Sequence, residues 1–458
     1  PGTSITKVYE TAIPEMRKLI DDVNAETDAY ADKLTTANNG KISIFNPLSF
    51  ARNDIVTLSG EIHLDNKTSQ TYTDIDGNVK TDIKVHIPAM SAEVLTKAEP
   101  ISQPSRFTAN GNSLITPFYK VEFDENGYIS YLYDIHRRRQ INREGSYSLG
   151  TLWFGEDFPT LFDNWEIEYD AFRKLHPVCD LISREVVSDG VIEYRIRTKY
   201  KFGRKSSITL DTVFYAGCRR IDFIAKVDWN ERHSLLKAGF DVNIHSALVK
   251  NEIQFGHVER PTTRNNSLEE AKFEVCNHKW SDLSESRYGV AILNNCKYGI
   301  SVEGSNMMLT LHRGGCRPDP YTDNGVHYMT YSLLPHENAF SAENVVYPAY
   351  ELNYPAIVKS GEMTAEKLFE TDAPNIICEA VKNSEDTDGT YVLRLYECER
   401  NATNCILNLY GAERAWEANM LEEKTEELAI NHRKVELKFR PFEIKTIIVE
   451  KPKDQEKD

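Results

Sequence analysis

The sequence predicts a mainly β protein, in which a large antiparallel β-sandwich is flanked by smaller β-sandwich domains and preceded by one helix. Three observations support this fold class. Short runs that alternate apolar and polar residues recur along most of the chain, for example in residues 192–197 and 220–227. Turn sequences such as Glu125-Asn126-Gly127 separate these runs. The 458 residues exceed the size at which a single core stops growing, so several domains are expected.

A single amphipathic helix is predicted near the N-terminus, over residues 13–34. Its apolar residues recur at helical spacings: Ile13, Met16, Leu19, Ile20, Val23 and Tyr30. Pro14 fits the first turn of such a helix, and Asn38-Asn39-Gly40 marks its predicted end. Because no second strong helix follows, this helix either packs on the sheets or belongs to a bundle whose other members lie elsewhere.

From residue 41 onward the pattern changes to the two-residue period of strands. We expect a small β domain over residues 41–100 and the large sandwich over residues 101–345. Residues 341–355 are richer in loop signals, and residues 346–371 are predicted to be a linker. A C-terminal β-sandwich is expected over residues 372–451, followed by a disordered tail at residues 452–458.

The charge and the apolar content of the chain argue against nucleic acid and membranes as partners, and the cysteines indicate its redox environment. The formal net charge of -16 would repel nucleic acid and anionic membrane surfaces. No run approaches the roughly 20 apolar residues of a membrane-spanning helix. The eight cysteines contain no CxxC pair, which favours reduced thiols over a disulfide framework or a zinc ribbon. We therefore expect a cytoplasmic protein that binds neither nucleic acid nor membrane.

Three segments concentrate residues that can carry chemistry. In residues 153–168, Trp153 and Trp165 flank several carboxylates, which suits either sugar contacts or the packing of a loop. Residues 255–264 and 276–284 bring His257 and His278 near acidic residues. Neither histidine has a second histidine three or four residues away, so a metal site would have to come from distant segments, and structural roles are favoured.

The third segment, residues 311–328, combines glycines with charged residues in a predicted long loop. It suits a ligand-facing loop and an internally salt-bridged loop equally well. No GxSxG elbow, P-loop or GxGxxG sequence occurs, so a serine hydrolase triad and nucleotide chemistry are unsupported.

Several of these segments resemble, in order and spacing, the C-terminal half of glycoside hydrolase family 38, the α-mannosidases. The matching stretches are residues 255–262, 278–284, 288–299, 317–327, 331–336 and 440–446. The resemblance covers nearly the whole chain. It implies a last helix of a helical bundle within residues 1–40, then a small β domain, a large sandwich like that of galactose mutarotases, and a further β-sandwich.

The same resemblance implies the part that this chain plays. Family members hydrolyse α-mannosides with retention of configuration, using an aspartate nucleophile, a second carboxylic acid and a zinc ion supplied by an N-terminal catalytic domain. None of the stretches that supply those groups is recognisable here, so no catalytic residue and no metal ligand is carried over, and the chain alone is expected to be inactive. The expected partners are α-mannoside glycans and that catalytic domain, and a homo-oligomer is compatible with the sequence.

Loops of the sandwich reach the substrate cleft in this family, which implies a set of substrate-binding residues. By position, these are Asp163, Trp165, Arg313, Asp319 and Asp323. The family's usual motif is Trp-Asp-Ala-Trp-Asp, whereas this sequence has Leu161-Phe162-Asp163-Asn164-Trp165-Glu166.

Two other function classes remain open. A stand-alone carbohydrate-binding module would use Trp153, Trp165 and Trp280 as stacking faces. A mutarotase-like epimerase would need a histidine and a carboxylate that converge on one concave face. Its candidate histidines are His257, His278, His312 and His327.

Overall fold

The computed structural model describes residues 4–101, 103–321, 323–385 and 389–452. The chain begins with the helix Thr6–Lys33 and continues almost entirely in antiparallel sheets. The helix starts earlier than predicted, so Pro14 lies inside it rather than in its first turn. The neighbouring residues are exposed, so water can satisfy the helix carbonyl that loses its partner at this proline.

The large sandwich consists of a nine-stranded and a six-stranded sheet. In spatial order the nine strands are Asp180–Asp189, Glu193–Phe202, Ser206–Tyr215, Ile221–Trp229, Gly325–Glu337, Tyr288–Asn294, Trp280–Ser284, Leu248–Ile253 and Gly256–Pro261. The six are His176–Pro177, Thr151–Glu156, Ser234–Asp241, Asn306–Gly314, Gly299–Glu303 and Val275–Cys276. Their facing side chains form the main hydrophobic core, in which Trp229, Phe240 and Tyr331 are fully buried.

A five-stranded sheet precedes the sandwich and shares its core through residues such as Val121 and Leu132. Its strands are Arg139–Gln140, Ile129–Asp134, Tyr119–Phe123, Ser113–Ile115 and Thr108–Asn110. The short helices Asp170–Arg173 and Ser267–Glu270 lie in loops of the sandwich. A π-helical turn, Ala342–Val346, leads into the helix Tyr347–Asn353.

Two three-stranded sheets form the first small β region around a core of its own. One contains Ile357–Ser360, Lys41–Asn46 and Ser91–Thr96, and the other contains Ile55–Ser59, Val79–Lys84 and Ser69–Thr73. In addition, Thr35–Thr36 pairs with Glu362–Met363. The segment 346–371, predicted to be a linker, thus contributes strands to this region, because its backbone completes hydrogen bonds that strand Lys41–Asn46 offers.

The C-terminal region packs a three-stranded sheet against a five-stranded one. The first contains Phe369–Thr371, Thr403–Leu409 and Lys434–Phe439, and the second contains Ile376–Asn383, Thr390–Glu397, Ile444–Glu450, Arg414–Ala418 and Lys424–Leu428. The predicted fold class, a large antiparallel sandwich flanked by smaller ones after one N-terminal helix, is confirmed. The domain boundaries remain predictions, and the predicted disordered tail lies, apart from Pro452, outside the described residues.

Within the described ranges, no helix is long and apolar enough to cross a membrane. The N-terminal helix is amphipathic but carries its apolar side chains in solvent. Those that are exposed are Val8, Ile13, Met16, Leu19, Ile20, Val23 and Tyr30. The helix is fastened near both ends: Thr6 donates a hydrogen bond to Asp319, and Lys359 forms ion pairs with Asp28 and Asp32.

Candidate functional site

Two loops at one end of the six-stranded sheet meet and form the candidate site. We call residues 157–168 the aromatic loop and residues 314–321, which begin with Gly314 and Gly315, the glycine-rich loop. Asp163 is buried between them, and its carboxylate accepts the backbone N–H groups of Cys316 and Arg317, each at 2.7 Å. The Asn164 side chain lies so close to Gly315 that a Cβ at that position would clash with its amide oxygen. The two loops therefore form one packed unit.

Arg313 fastens the aromatic loop from the adjacent strand. Its guanidinium pairs with the buried carboxylate of Asp157 and donates to the backbone carbonyl of Glu166. Charge-assisted bonds of this kind hold both partners in a fixed orientation. These partners belong to residues 157–168, so Arg313 joins two segments rather than forming a salt bridge within residues 311–328. A direct sugar contact by its side chain remains a prediction.

Asp319 and Asp323 occupy different surroundings within this part of the chain. Asp319 is buried, and its carboxylate accepts hydrogen bonds from the Thr6 hydroxyl at 2.8 Å and from the backbone N–H of Tyr321 at 3.0 Å. Asp323 has a left-handed backbone, and its carbonyl oxygen lies 2.7 Å from Nε2 of His327. Asp319 thus joins the N-terminal helix to the glycine-rich loop.

The solvent-facing side of the two loops is aromatic. Trp165 is 62% exposed and packs at a tilt on Phe162, with the ring centroids 5.6 Å apart. The other large exposed side chains here are Phe158, Leu161 and Tyr321. Rings held open to solvent on a rigid base can stack on the apolar face of a sugar. Of the five predicted substrate-binding residues, Trp165 and Asp323 are exposed, and Trp165 is the one that offers a ring.

The other tryptophans and histidines lie in packed surroundings. Trp280 is fully buried between His257 and Phe340, and Trp153 packs in a minor core beneath the six-stranded sheet. Burial lowers the pKa of His257 to about 4, and its Nδ1 lies 3.2 Å from the carbonyl oxygen of Cys398. This histidine is therefore a neutral packing residue at the junction with the C-terminal sandwich.

The four histidines proposed for an epimerase do not converge on one concave face. His257 lies at the junction, and His278 contacts the ring of Tyr298. His312 and His327 do meet, 4.4 Å apart between ring centroids, but both point a nitrogen at the carbonyl oxygen of Asp323 rather than at a carboxylate. Burial lowers the pKa of His312 to about 3, so this ring stays neutral.

Two residues of the site were missed by sequence reasoning, His233 and Cys316. Nδ1 of His233 lies 3.0 Å from a carboxylate oxygen of Asp163, and the imidazole packs on Phe158. The ligand-type atoms of Asp163, His233 and Cys316 all lie within 4.8 Å of one another. Burial and the carboxylate of Asp163 raise the pKa of the Cys316 thiol. No local spacing connects these residues, because the three come from three separate segments of the chain.

Comparison with known proteins matches two parts of the chain to family descriptions. Residues 114–321 match the glycosyl hydrolases family 38 C-terminal domain, and residues 375–447 match the family 38 C-terminal β-sandwich domain. Mouse alpha-mannosidase 2C1 is 32% identical over 340 residues, which cover 72% of this chain and 33% of that protein. Alpha-mannosidase G of Dictyostelium discoideum is 32% identical over 357 residues, covering 74% of this chain and 32% of that protein.

Solved structures support the same relationship at the level of the fold. The crystal structure of an alpha-mannosidase from Enterococcus faecalis V583 superposes with a TM-score of 0.75 at 14% identity, covering 98% of this chain and 61% of the other. The chain spans about a third of the length of the curated relatives that it matches. The predicted resemblance is confirmed: the chain belongs to glycoside hydrolase family 38 and contains the C-terminal domains of that family.

Proposed function

We propose that this chain is the C-terminal region of an α-mannosidase, an enzyme that removes terminal α-mannosides from glycans with retention of configuration. The support is the similarity to proteins named alpha-mannosidase over more than two thirds of this chain. In this proposal the β regions shape the substrate cleft and support a catalytic domain that lies outside the 458 residues. That domain supplies two carboxyl groups about 5 to 5.5 Å apart, as a double-displacement mechanism requires.

The zinc that this family uses to hold mannose hydroxyls is also assigned to that catalytic domain. Within the described part of the chain, one group of three ligand-type side chains was found, Asp163 with His233 and Cys316. Asp163 is buried and already accepts two backbone N–H groups, so it does not face a sugar. In this proposal, the metal that acts in hydrolysis is held by the catalytic domain.

The observation that carries the proposal is the joined pair of loops with exposed rings on their outer side. Asp163 and Arg313 act as positioning residues, since each binds backbone groups of a loop and holds it against the sandwich. Trp165 is the residue proposed to contact the sugar, stacking its ring on the C–H face of a mannose unit. Asp319 belongs to the proposed cleft because its carboxylate holds the backbone N–H of Tyr321. Asp323 is exposed, and its side chain is proposed to contact the sugar.

The exposed apolar face of the helix Thr6–Lys33 is the second part of the proposal. A soluble protein rarely leaves a stripe of this size open to water, so we propose that the catalytic part of the same enzyme covers it. The eight cysteines are unpaired, which fits a reducing compartment, and we place the enzyme in the cytoplasm.

A second candidate function is sugar binding without catalysis. The exposed ring of Trp165 favours it. Of the other two rings considered for such a module, Trp280 is fully buried and Trp153 is partly buried in a small hydrophobic cluster. This candidate predicts that the chain by itself binds mannosides, with loss of binding in Trp165→Ala.

The experiment that tests the proposal is hydrolysis of an aryl α-mannoside by this chain, by the separately produced N-terminal part of the same protein, and by their mixture with zinc present. We expect turnover only in the mixture. Turnover by the chain alone would contradict the assignment of the catalytic groups to another part. Mannoside binding by the chain, with no turnover in the mixture, would favour the binding module.

A further inference from the structure

A carboxylate, an imidazole and a thiol lie close together between the two loops. They belong to Asp163, His233 and Cys316. Their ligand-type atoms lie within 4.8 Å of one another. Nδ1 of His233 and a carboxylate oxygen of Asp163 are 3.0 Å apart, close enough for two donors bound to one ion at about 2.0 to 2.2 Å. The three residues come from the aromatic loop, the turn before strand Ser234–Asp241 and the glycine-rich loop. Oxygen, nitrogen and sulfur donors in one set suit zinc better than calcium or magnesium, which prefer oxygen alone.

The donors are held in place by backbone contacts. Both oxygens of Asp163 accept a backbone N–H, and each ionised oxygen keeps a second lone pair for another partner. The backbone of His233 is left-handed, donates to the carbonyl of Gly314 at 2.6 Å and accepts from Asp157 at 2.8 Å. Hydrogen bonds that orient the ligating residues are a general feature of metal sites in proteins.

An independent observation concerns the ring nitrogen of His233. Nδ1 is fully shielded from solvent and lies 3.0 Å from Asp163, yet the two atoms do not meet the geometry of a hydrogen bond, and no other partner occurs among the described residues. An Asp–His ion pair would aim the N–H at the carboxylate oxygen. A nitrogen and an oxygen that lie this close without a hydrogen bond have the spacing of two neighbouring ligands of one metal ion.

We propose that Asp163, His233 and Cys316 bind a zinc ion through a carboxylate oxygen, Nδ1 and the thiolate. Three protein donors leave the fourth tetrahedral position for water or another ligand. Cys316 releases its thiol proton to solvent on binding, and His233 ligates as the neutral tautomer with its proton on Nε2. The ion joins the aromatic loop to the glycine-rich loop. Zinc binding here does not depend on the proposed function.

The test uses the purified 458-residue chain, stripped with a chelator and then loaded with zinc or with cobalt. We expect about one retained zinc ion per chain by elemental analysis, as three-donor sites of this kind hold a single ion. Loading with cobalt is expected to give a thiolate-to-cobalt charge-transfer band and the strong visible bands of tetrahedral coordination. Both signals should be lost in Cys316→Ser and His233→Gln and kept in Cys179→Ser, which removes an exposed thiol.

The cobalt spectrum of the unsubstituted chain decides the proposal even if a variant fails to fold. A spectrum without the thiolate band overturns it. Equal zinc retention in Cys316→Ser and Cys179→Ser, with both variants folded by circular dichroism, overturns it as well, because the metal would then be held elsewhere.

Discussion

Two aromatic regions of the sandwich have similar residue types and opposite surroundings. At the junction with the C-terminal sandwich, the buried side chains of Trp280 and His257 pack on each other and on the partly buried ring of Phe340. In the aromatic loop, Trp165 and Phe162 pack on each other but remain open to solvent. The first region stabilises the fold and the second is available to a ligand. A cluster of aromatic and histidine side chains therefore indicates a binding site only when its burial is known.

A substitution at the buried junction tests whether this region stabilises the fold. It should change the free energy of unfolding more than the other substitutions below. Trp280→Ala removes a fully buried ring, and we expect the free energy of unfolding to fall by about 3 to 5 kcal/mol. Denaturant unfolding followed by circular dichroism measures this change. An unchanged unfolding curve would mean that the junction does not contribute to the stability of the fold.

The pH dependence of stability is a second test of the buried junction, through His257. Its folded pKa of about 4 lies below the value of about 6.5 expected in the unfolded chain. The unfolded state therefore binds more protons as the pH falls from about 6.5 to about 4, and the free energy of unfolding should decrease by up to about 3 kcal/mol. Denaturant unfolding at several pH values in this range measures the change. The free energy of unfolding should depend less on pH in His257→Gln, whereas His245→Gln, at an exposed histidine, should leave its pH dependence unchanged.

Asp163 shares a property with each of the two regions, because it is buried and yet supports the loop that carries the exposed rings. Asp163→Asn keeps one acceptor and loses the charge, so we expect a loss of about 1 to 3 kcal/mol together with faster amide exchange in the aromatic loop. Asp180→Asn, at an exposed aspartate, is the matched control. Normal exchange in the loop of the Asp163 variant would show that the loops are held by other contacts.

Trp165→Ala tests the exposed aromatic loop. Because the ring is mostly exposed, the free energy of unfolding should change by no more than about 0.5 kcal/mol, the smallest effect among these substitutions. In the full-length enzyme we expect kcat/KM for an α-mannoside to fall on the order of tenfold, equivalent to about 1.4 kcal/mol of lost binding. Tyr298→Ala, another exposed ring, should leave kcat/KM unchanged. Equal values of kcat/KM in the two variants would mean that Trp165 does not contact the substrate.

Several features followed directly from local patterns in the sequence. The period-two alternation and the turn sequences indicated the strands, because each depends on residues near one another in the chain. The spacing of apolar residues predicts the helix but not its start at Thr6, because Pro14 fits the first turn of a helix and yet lies inside this one. The aromatic and glycine-rich segments were identified by composition, and the family motifs connected them to α-mannosidases.

The sequence by itself therefore determined the fold class, the family and the two segments that form the candidate site. Only the tertiary structure decided which side chains of those segments face solvent and which hold the loops together. Arg313 pairs with Asp157, and Asp163 meets His233 and Cys316, through contacts between segments far apart in the chain. Such contacts depend on how the sandwich brings its loops together, and no periodicity or local spacing records that.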